Sequence, residues 1–168
     1  MPEKDQIFSS AVKYTGNFSF KDFYQFCYDW ITEQIGMADL SEDEYTEKVA
    51  GDEKEIQIKW TATKKLTDYF KFELKASFHI LKLKKVEIVQ DGVKLETNKG
   101  QVKLTIKGNL IRDYEGKFES GGRLKFLRGI YEKWVIPTRV DEFEDKVAGG
   151  CDELLTQAKA FLDLEGKK

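Results

Sequence analysis

Apolar and polar residues alternate almost without interruption over residues 55–118. Between Ile56 and Ile80 the even-numbered positions are apolar, except for Lys64 and a turn signal at Thr67-Asp68. The odd-numbered positions between them are mainly lysine, glutamate, serine and threonine. Because successive side chains of a strand point to opposite faces, this period predicts an antiparallel sheet with one apolar face and one lysine-rich face.

Turn signals divide this stretch into predicted strands. Asp91-Gly92 lies between alternating segments and is the strongest hairpin signal, and Asn98-Lys99-Gly100 predicts another turn. Gly108-Asn109 fits either a hairpin turn or a β-bulge, and the sequence leaves these two alternatives open. Together with a first strand over residues 7–14, these signals predict an α+β fold with a curved antiparallel meander of six or seven strands.

Helical spacing of apolar residues predicts the elements that cover one face of the sheet. Ser19 is expected to cap an N-terminal helix over residues 20–35. A long C-terminal helix is predicted from about Thr138. Gly149-Gly150 lies inside this pattern, where it indicates either a kink or a place where another backbone comes close.

Two further helices and the domain count complete the predicted architecture. Ser41 followed by Glu44 predicts a short capped helix over residues 41–50, in an acidic segment that is the best placed for a flexible lid. A second helical pattern covers residues 122–135. A chain of 168 residues is long enough to bury one proper core, and we expect a single domain, residues 1–168.

Charge is distributed unevenly along a chain whose formal net charge is −2. Residues 1–54 contain 5 lysines or arginines and 12 acids, whereas residues 55–117 contain 14 and 8. One interpretation is attraction between these two parts within the fold, and the other is a basic sheet surface that binds an anionic partner. Four glutamates are expected to dilute the charge of the lysine-rich face: Glu55, Glu73, Glu87 and Glu96.

No segment of the sequence predicts secretion or a membrane span. No apolar run follows Met1, and none approaches the roughly 20 residues that a transmembrane helix needs. Two cysteines, Cys27 and Cys151, do not make a disulfide framework. We therefore expect a cytoplasmic protein.

The sequence carries no constellation for catalysis, a metal or a cofactor. The one histidine, His79, is predicted on the polar face of its strand, and both cysteines are predicted on apolar helix faces, where a thiol packs as a small hydrophobic group. One histidine and two distant cysteines do not supply a zinc site, and no glycine-rich phosphate loop occurs. The sequence favours a non-enzymatic protein without catalytic residues, metal or cofactor.

The order of the predicted elements resembles that of the helix-grip superfamily of START-like and polyketide cyclase-like proteins (SRPBCC). A first strand, a helical segment, an antiparallel meander and a long C-terminal helix follow one another over most of the chain. Two features depart from that pattern. Residues 89–93 look like a tight turn where some members have a glycine-rich loop, and the helix over residues 122–135 is additional. The resemblance implies a cavity between the sheet and the last helix, suited to an apolar ligand.

The residues themselves leave two alternatives for the space between sheet and helices. Aromatic side chains on the inner face can line a pocket, or aromatic residues of the helices can fill that space. Our leading hypothesis is a non-enzymatic domain that binds an apolar or amphipathic small molecule. The candidate ligand-binding residues are Trp60, Phe70, Phe72, Phe78, Phe143 and Cys151.

Two alternative functions use the surface instead of the interior. The broad apolar surface over residues 20–35 suits a protein–protein interaction or self-association module. A weaker alternative is binding of nucleic acid or an anionic surface by the outward lysines, and the lack of outward aromatic residues for base stacking disfavours nucleic acid. These lysines are Lys59, Lys65, Lys71, Lys75, Lys103 and Lys107.

Overall fold

A computed structural model describes residues 3–37, 39–67, 69–112 and 137–166 of the chain. Within these ranges five strands form one antiparallel sheet in the order β1-β5-β4-β3-β2. The strands are β1 (Glu3–Phe18), β2 (Asp39–Ala50), β3 (Glu53–Lys65), β4 (Phe70–Gln90) and β5 (Val93–Arg112). The helices are α1 (Phe20–Asp29), continued by a π-helical turn (Trp30–Gln34), and α2 (Pro137–Gly166). The predicted α+β class with an antiparallel sheet is confirmed.

The predicted register of β3 and β4 is also confirmed. The even-numbered residues of these strands between Ile56 and Ile80 point to the buried face, and Phe72 and Phe78 are only 4% and 1% exposed. Lys64 near the end of β3 is the exposed exception, and Lys75 on the opposite face is exposed as expected. The alternation therefore identifies the core side of both strands.

Both helices lie on this buried face. Phe23 of α1 packs edge to face against Phe78, with 5.9 Å between the ring centres. Phe143 of α2 contacts Phe70 at 5.1 Å between the ring centres. The N-terminal helix predicted over residues 20–35 corresponds to α1 and its π-helical turn, and the predicted C-terminal helix corresponds to α2.

The sheet has five strands within the described ranges, so the prediction of six or seven strands was wrong. Asp91-Gly92 forms the predicted two-residue hairpin turn, with positive φ angles of 53° and 79°. The second predicted turn, Asn98-Lys99-Gly100, lies instead inside β5, which runs unbroken for 20 residues. Gly100 is needed there because an added Cβ would lie 3.0 Å from the carbonyl oxygen of Leu81 in β4.

Gly108-Asn109 is neither a hairpin turn nor a bulge of its own strand. Both residues pair with β1 and β4, and the bulge lies opposite them, at Ile7 of β1. Gly108 lies beneath α2, where an added Cβ would be 2.7 Å from Cys151 Sγ and 2.8 Å from Val147 Cγ1. The glycine therefore marks a tight contact between helix and sheet instead of a chain reversal.

The segment predicted as a short helix over residues 41–50 forms most of the edge strand β2. It pairs with β3 along its length, with a bulge at Asp43. Glu42 on its inner side accepts hydrogen bonds from the Tyr24 hydroxyl at 2.8 Å and from the Trp60 indole at 3.2 Å. Pairing with β3 and these contacts outweigh the weak helix signal of the sequence. The segment that was expected to be a lid is therefore part of the sheet.

Within the part of the chain that the structure describes, the glycine pair inside α2 makes no close contact with another backbone. An added Cβ at Gly149 would have nothing within 4 Å, and one at Gly150 would lie 3.8 Å from the side chain of Phe72. Of the two alternatives for this pair, a kink or the close approach of another backbone, the close approach is not found among the described residues; a close approach occurs at Gly108 in the sheet. The helix predicted over residues 122–135 lies outside the described residues.

Strands β4 and β5 extend beyond their neighbours as a two-stranded arm, residues 85–97. β3 pairs with β4 only as far as Leu83, and β1 pairs with β5 only as far as Asn98. A bulge after Leu81, where Lys82 has a positive φ of 54°, adds one residue at the base of the arm. The extra residue changes which side chains of β4 point to each face of the sheet. Before the bulge the even-numbered side chains point to the helices, and beyond it they point to the outer face.

Candidate functional site

Four of the six candidate ligand-binding residues are packed against other side chains of the core. Trp60 and Phe78 are each 1% exposed, and their ring centres lie 4.8 Å apart. Tyr24 of α1 packs on the other side of Trp60 at 5.0 Å. Phe70 and Phe143 form a separate pair further along the core, where Phe70 is 1% exposed. The rings of the helices fill the space that these sheet residues were predicted to line.

Cys151 and Phe72 occupy different positions in the helix–sheet interface. Cys151 is fully buried against Gly108, and burial raises the pKa of its thiol to about 12. The other cysteine, Cys27, is also buried and free, and burial raises its pKa too. Neither thiol is a reactive nucleophile at neutral pH. Phe72 is the one candidate ligand-binding residue that borders the cleft between the C-terminal helix and the sheet.

This cleft, called the end cleft below, has a volume of about 420 Å³. It lies where the π-helical turn, the end of β3 and the middle of α2 meet. Its described lining is Trp30, Gln34, Ile35, Lys64, Lys65, Leu66, Phe72, Lys146, Gly150 and Glu153. The volume is within the range of small-molecule sites, and the lining combines an apolar floor with charged groups.

The end cleft exists because of local features of three elements. The helix after α1 widens to a π-helical turn, in which the backbone N–H of Ile35 donates to the carbonyl of Trp30 at 3.0 Å. Such turns are frequent at functional sites. Gly150 of α2 has no side chain, and an added Cβ there would lie 3.8 Å from the ring of Phe72 at the border of the cleft. The missing side chain and the widened turn together keep the core from closing here.

Charged groups give the end cleft a positive character. The described lining contains three lysines and one glutamate, a net formal charge of two positive units. Lys64 Nζ donates to the backbone carbonyl of Ile35 at 3.1 Å, which fixes the lysine at the end of the π-helical turn. Lys146 lies over the ring of Phe143 at 5.8 Å, so its charge is held at the rim by the aromatic face. The site can therefore combine contact to an apolar body with attraction of an anion.

A second and larger cleft lies at the other end of the helix face. Its volume is about 640 Å³, and it is bordered by the start of α1, the β2–β3 hairpin and the base of the arm. Lys54 and Glu47, which both line it, form an ion pair at 2.8 Å. The described lining also contains Lys21, Lys84, Lys85 and Asp52, so its net formal charge is two positive units, as in the end cleft. It differs from the end cleft because its described lining includes no residue of α2.

Between the two clefts, hydrogen bonds to one glutamate lie at the edge of the aromatic core. The Tyr24 hydroxyl and the Trp60 indole both donate to Glu42 Oε1. Burial and the hydrogen bond to Glu42 raise the pKa of Tyr24 to about 12, so the hydroxyl stays protonated and serves as a donor. This arrangement joins the edge strand to α1 and does not bring an acid and a base together for catalysis.

Within the described residues, neither a metal site nor a membrane-spanning helix adds a further candidate site, and comparison with other proteins adds none. Among the residues that the structure describes, no three His, Cys, Asp or Glu side chains are grouped so that they could hold a metal ion. The helices in the described ranges include none that is long and apolar enough to cross a membrane. Comparison with protein-family models and with curated proteins gives no match to this chain.

Sequence reasoning missed most of the end cleft, although two signals were present. Lys64 is the one charged residue that interrupts the apolar positions of β3, and it lies at the cleft. Gly150, one of the two glycines inside the C-terminal helix pattern, also lines the cleft. Trp30 and Ile35 gave no separate signal, because both were expected at ordinary core positions of the helix predicted over residues 20–35.

Proposed function

We propose that the protein binds a small amphipathic anion in the end cleft. The observation that carries this proposal is the composition of one cleft of about 420 Å³, where an apolar floor faces lysines from two different elements. Trp30, Leu66 and Phe72 would contact the apolar body of the ligand. Lys64 and Lys146 would attract its carboxylate, sulfonate or phosphate group.

The position of the end cleft agrees with the leading hypothesis from the sequence. It lies between the sheet and the C-terminal helix, where the helix-grip resemblance implies a ligand. The described order of β1, α1, a four-stranded meander and α2 supports this resemblance. The proposal keeps the protein non-enzymatic, and it assigns the protein to the cytoplasm, since two buried free thiols suit a reducing compartment.

Two neighbouring glycines of α2 offer a direct test of ligand binding. In Gly150→Leu the new side chain extends toward Phe72 and fills the end cleft, whereas in Gly149→Leu it enters open space. Both changes replace a glycine within a helix, so both raise helix propensity equally. We expect saturable binding of 8-anilinonaphthalene-1-sulfonate to the wild type and to Gly149→Leu, and at least about a tenfold loss in Gly150→Leu.

A charge reversal tests the anionic part of the proposal. Lys146→Glu should weaken binding of the same probe, whereas Lys159→Glu, an equal change at an exposed position of α2 outside the cleft, should not. Circular dichroism and thermal unfolding check that all variants are folded. Equal binding by Gly149→Leu and Gly150→Leu in folded protein would contradict the proposal.

The broad apolar surface over residues 20–35 does not favour a second function. Phe23 and Ile31 are fully buried, and Phe26 of α1 stacks on Phe161 of α2 at 4.8 Å between the ring centres. Contacts within the chain therefore account for most of its width. We retain self-association through this surface only as an outcome that light scattering would detect.

A further inference from the structure

The arm carries most of its aliphatic side chains on one of its two sides, although Val89 on the other side is 69% exposed. Asn98 at its base faces the helices, because its side chain accepts a hydrogen bond from the backbone N–H of Phe20 at 3.1 Å. Lys85, its partner across the strands, shares that side. The alternate pairs consequently face outward: Val86 with Thr97, Ile88 with Leu95, and Gln90 with Val93. Of these, Val93 is 57% and Leu95 41% exposed.

The same outer face carries lysines that oppose one another directly across the strands. Three such pairs follow along the sheet from the base of the arm: Lys84 with Lys99, Lys13 with Lys103, and Lys75 with Lys107. Like charges at directly opposed positions destabilise a sheet. An anionic partner on this face would remove that repulsion.

Two of the four glutamates expected on this face lie elsewhere, whereas Glu55 stays on it beside His79 and Glu73 stays on it beside Lys4 and Asn109. Glu87 and Glu96, which by alternation alone would dilute the lysine-rich face, pair on the helix side of the arm because of the bulge after Leu81. On the opposite flank, Glu44 of β2 forms an ion pair with Lys59 at 3.3 Å. The outer face of β1, β4 and β5 is therefore more positive than the sequence implies.

A small hollow lies between the apolar side of the arm and the lysine rows. Its volume is about 160 Å³, and its described lining includes Lys82, Lys84 and Lys99, together with Glu53 and Thr15. Three lysines against one glutamate leave it positive. It is suitably placed for an anionic group that is attached to an apolar layer.

We propose that this outer face docks on an anionic lipid bilayer. Aliphatic side chains of the arm enter the interface, while the lysine rows contact the headgroups. A nucleic acid would offer phosphates but no apolar layer for Val93 and Leu95. A second copy of the chain would present the same positive face and be repelled. This inference does not rest on the end cleft, which lies on the opposite side of the sheet.

Flotation with lipid vesicles tests the docking. The protein should float with vesicles of phosphatidylcholine containing about one third phosphatidylserine, and not with phosphatidylcholine alone, and added salt should release it. Removing the lysine pair with Lys13→Gln and Lys103→Gln should lower the partition coefficient on the order of 30-fold. The control pair Lys21→Gln and Lys159→Gln makes the same change in net charge on exposed helix positions and should have little effect.

The two sides of the arm provide a matched test of insertion. Leu95→Cys and Val89→Cys place a thiol on opposite sides of the same hairpin, and Cys27 and Cys151 are too buried to compete for a label. With an environment-sensitive nitrobenzoxadiazole label, we expect a blue shift on vesicle addition at the Leu95→Cys position and little change at the Val89→Cys position.

Several results would overturn the docking proposal. Equal spectral shifts on both sides of the arm, or vesicle binding that survives loss of Lys13 and Lys103, would do so. So would binding of duplex DNA in place of vesicles, or a rise in mass by light scattering without lipid binding. Gly150→Leu should still bind vesicles, which separates a failure of this proposal from a failure of the ligand proposal.

Discussion

Gly108 is the residue whose environment most limits substitution. An added Cβ would meet Cys151 Sγ at 2.7 Å and Val147 Cγ1 at 2.8 Å, both on buried positions of α2. We expect Gly108→Ala to lower the free energy of unfolding by about 1–3 kcal/mol, because the helix must move away from the sheet. Urea unfolding measures the change.

Gly149→Ala is the matched control for this prediction. Its added Cβ has nothing within 4 Å, so it should stabilise α2 by about 0.5–1 kcal/mol through helix propensity. If both variants were equally stable, the tight contact between Gly108 and α2 would be wrong.

Glu73 shows where alternation alone misjudges a residue. Its odd number predicts a solvated side chain, yet it is only 8% exposed. Asn109 of β5 donates to its carboxylate at 3.0 Å, and Lys4 of β1 forms an ion pair with it at 2.8 Å. Burial by itself would raise the pKa of Glu73, but these partners outweigh it and hold the pKa below the ordinary value. Partners on two other strands decide this, so no local pattern could indicate it.

At the scale of elements, the N-terminus of α1 is capped by two hydrogen bonds whose acceptors come from different parts of the chain. The Ser19 hydroxyl accepts a hydrogen bond from the N–H of Asp22 at 3.3 Å, as the sequence predicts. Asn98 of β5 accepts one from the N–H of Phe20 at 3.1 Å in a partly buried position. We expect Asn98→Ala to cost about 1 kcal/mol of unfolding free energy, because it leaves a helix N–H without an acceptor.

Asn98→Asp provides the control for this contact. Aspartate keeps an acceptor oxygen and adds a negative charge at the positive end of the helix, so its stability should equal or exceed that of the wild type. Chemical denaturation compares the three proteins. A loss in Asn98→Asp as large as that in Asn98→Ala would mean that the hydrogen bond is not the stabilising contact.

Elements with a clear repeat of apolar residues or a clear turn sequence were predicted well. Elements that depend on pairing with another strand were not. α1, α2 and the Asp91-Gly92 turn follow from spacing and turn chemistry. β2 was predicted as a helix, because its pairing with β3 is invisible in a charged segment. Gly100 was assigned to a turn, although it is required by the close approach of β4 opposite. A glycine alone does not indicate whether the chain turns or another chain segment comes close.

For the whole molecule, the packing of the described core is the feature that separates core from site. Phe78 contacts Phe23 and Trp60 and is 1% exposed, whereas Phe72 borders the end cleft. We expect Phe78→Ala to cost about 3–5 kcal/mol, because it leaves an internal cavity. Phe72→Ala should cost about 2 kcal/mol, since solvent in the cleft can enter the space.

Thermal or urea unfolding of both variants checks this difference. Only Phe72→Ala should also change binding of the anionic probe, since only that side chain borders the proposed site. Equal stability losses, or probe binding that depends on Phe78 alone, would indicate a pocket in the centre of the core instead.

By itself, the sequence determined the α+β class, the core side of β3 and β4, the two main helices and one hairpin turn. Each of these depends on a periodicity or a turn preference within a few residues, which the local sequence carries in full. The tertiary structure alone decided the strand count, the strand identity of β2, the filling of the interior and the location of the end cleft. It also decided which side of the arm faces outward, because the bulge after Leu81 changes the facing of every later residue of β4. These outcomes depend on contacts between segments far apart in the chain, and no short pattern contains them.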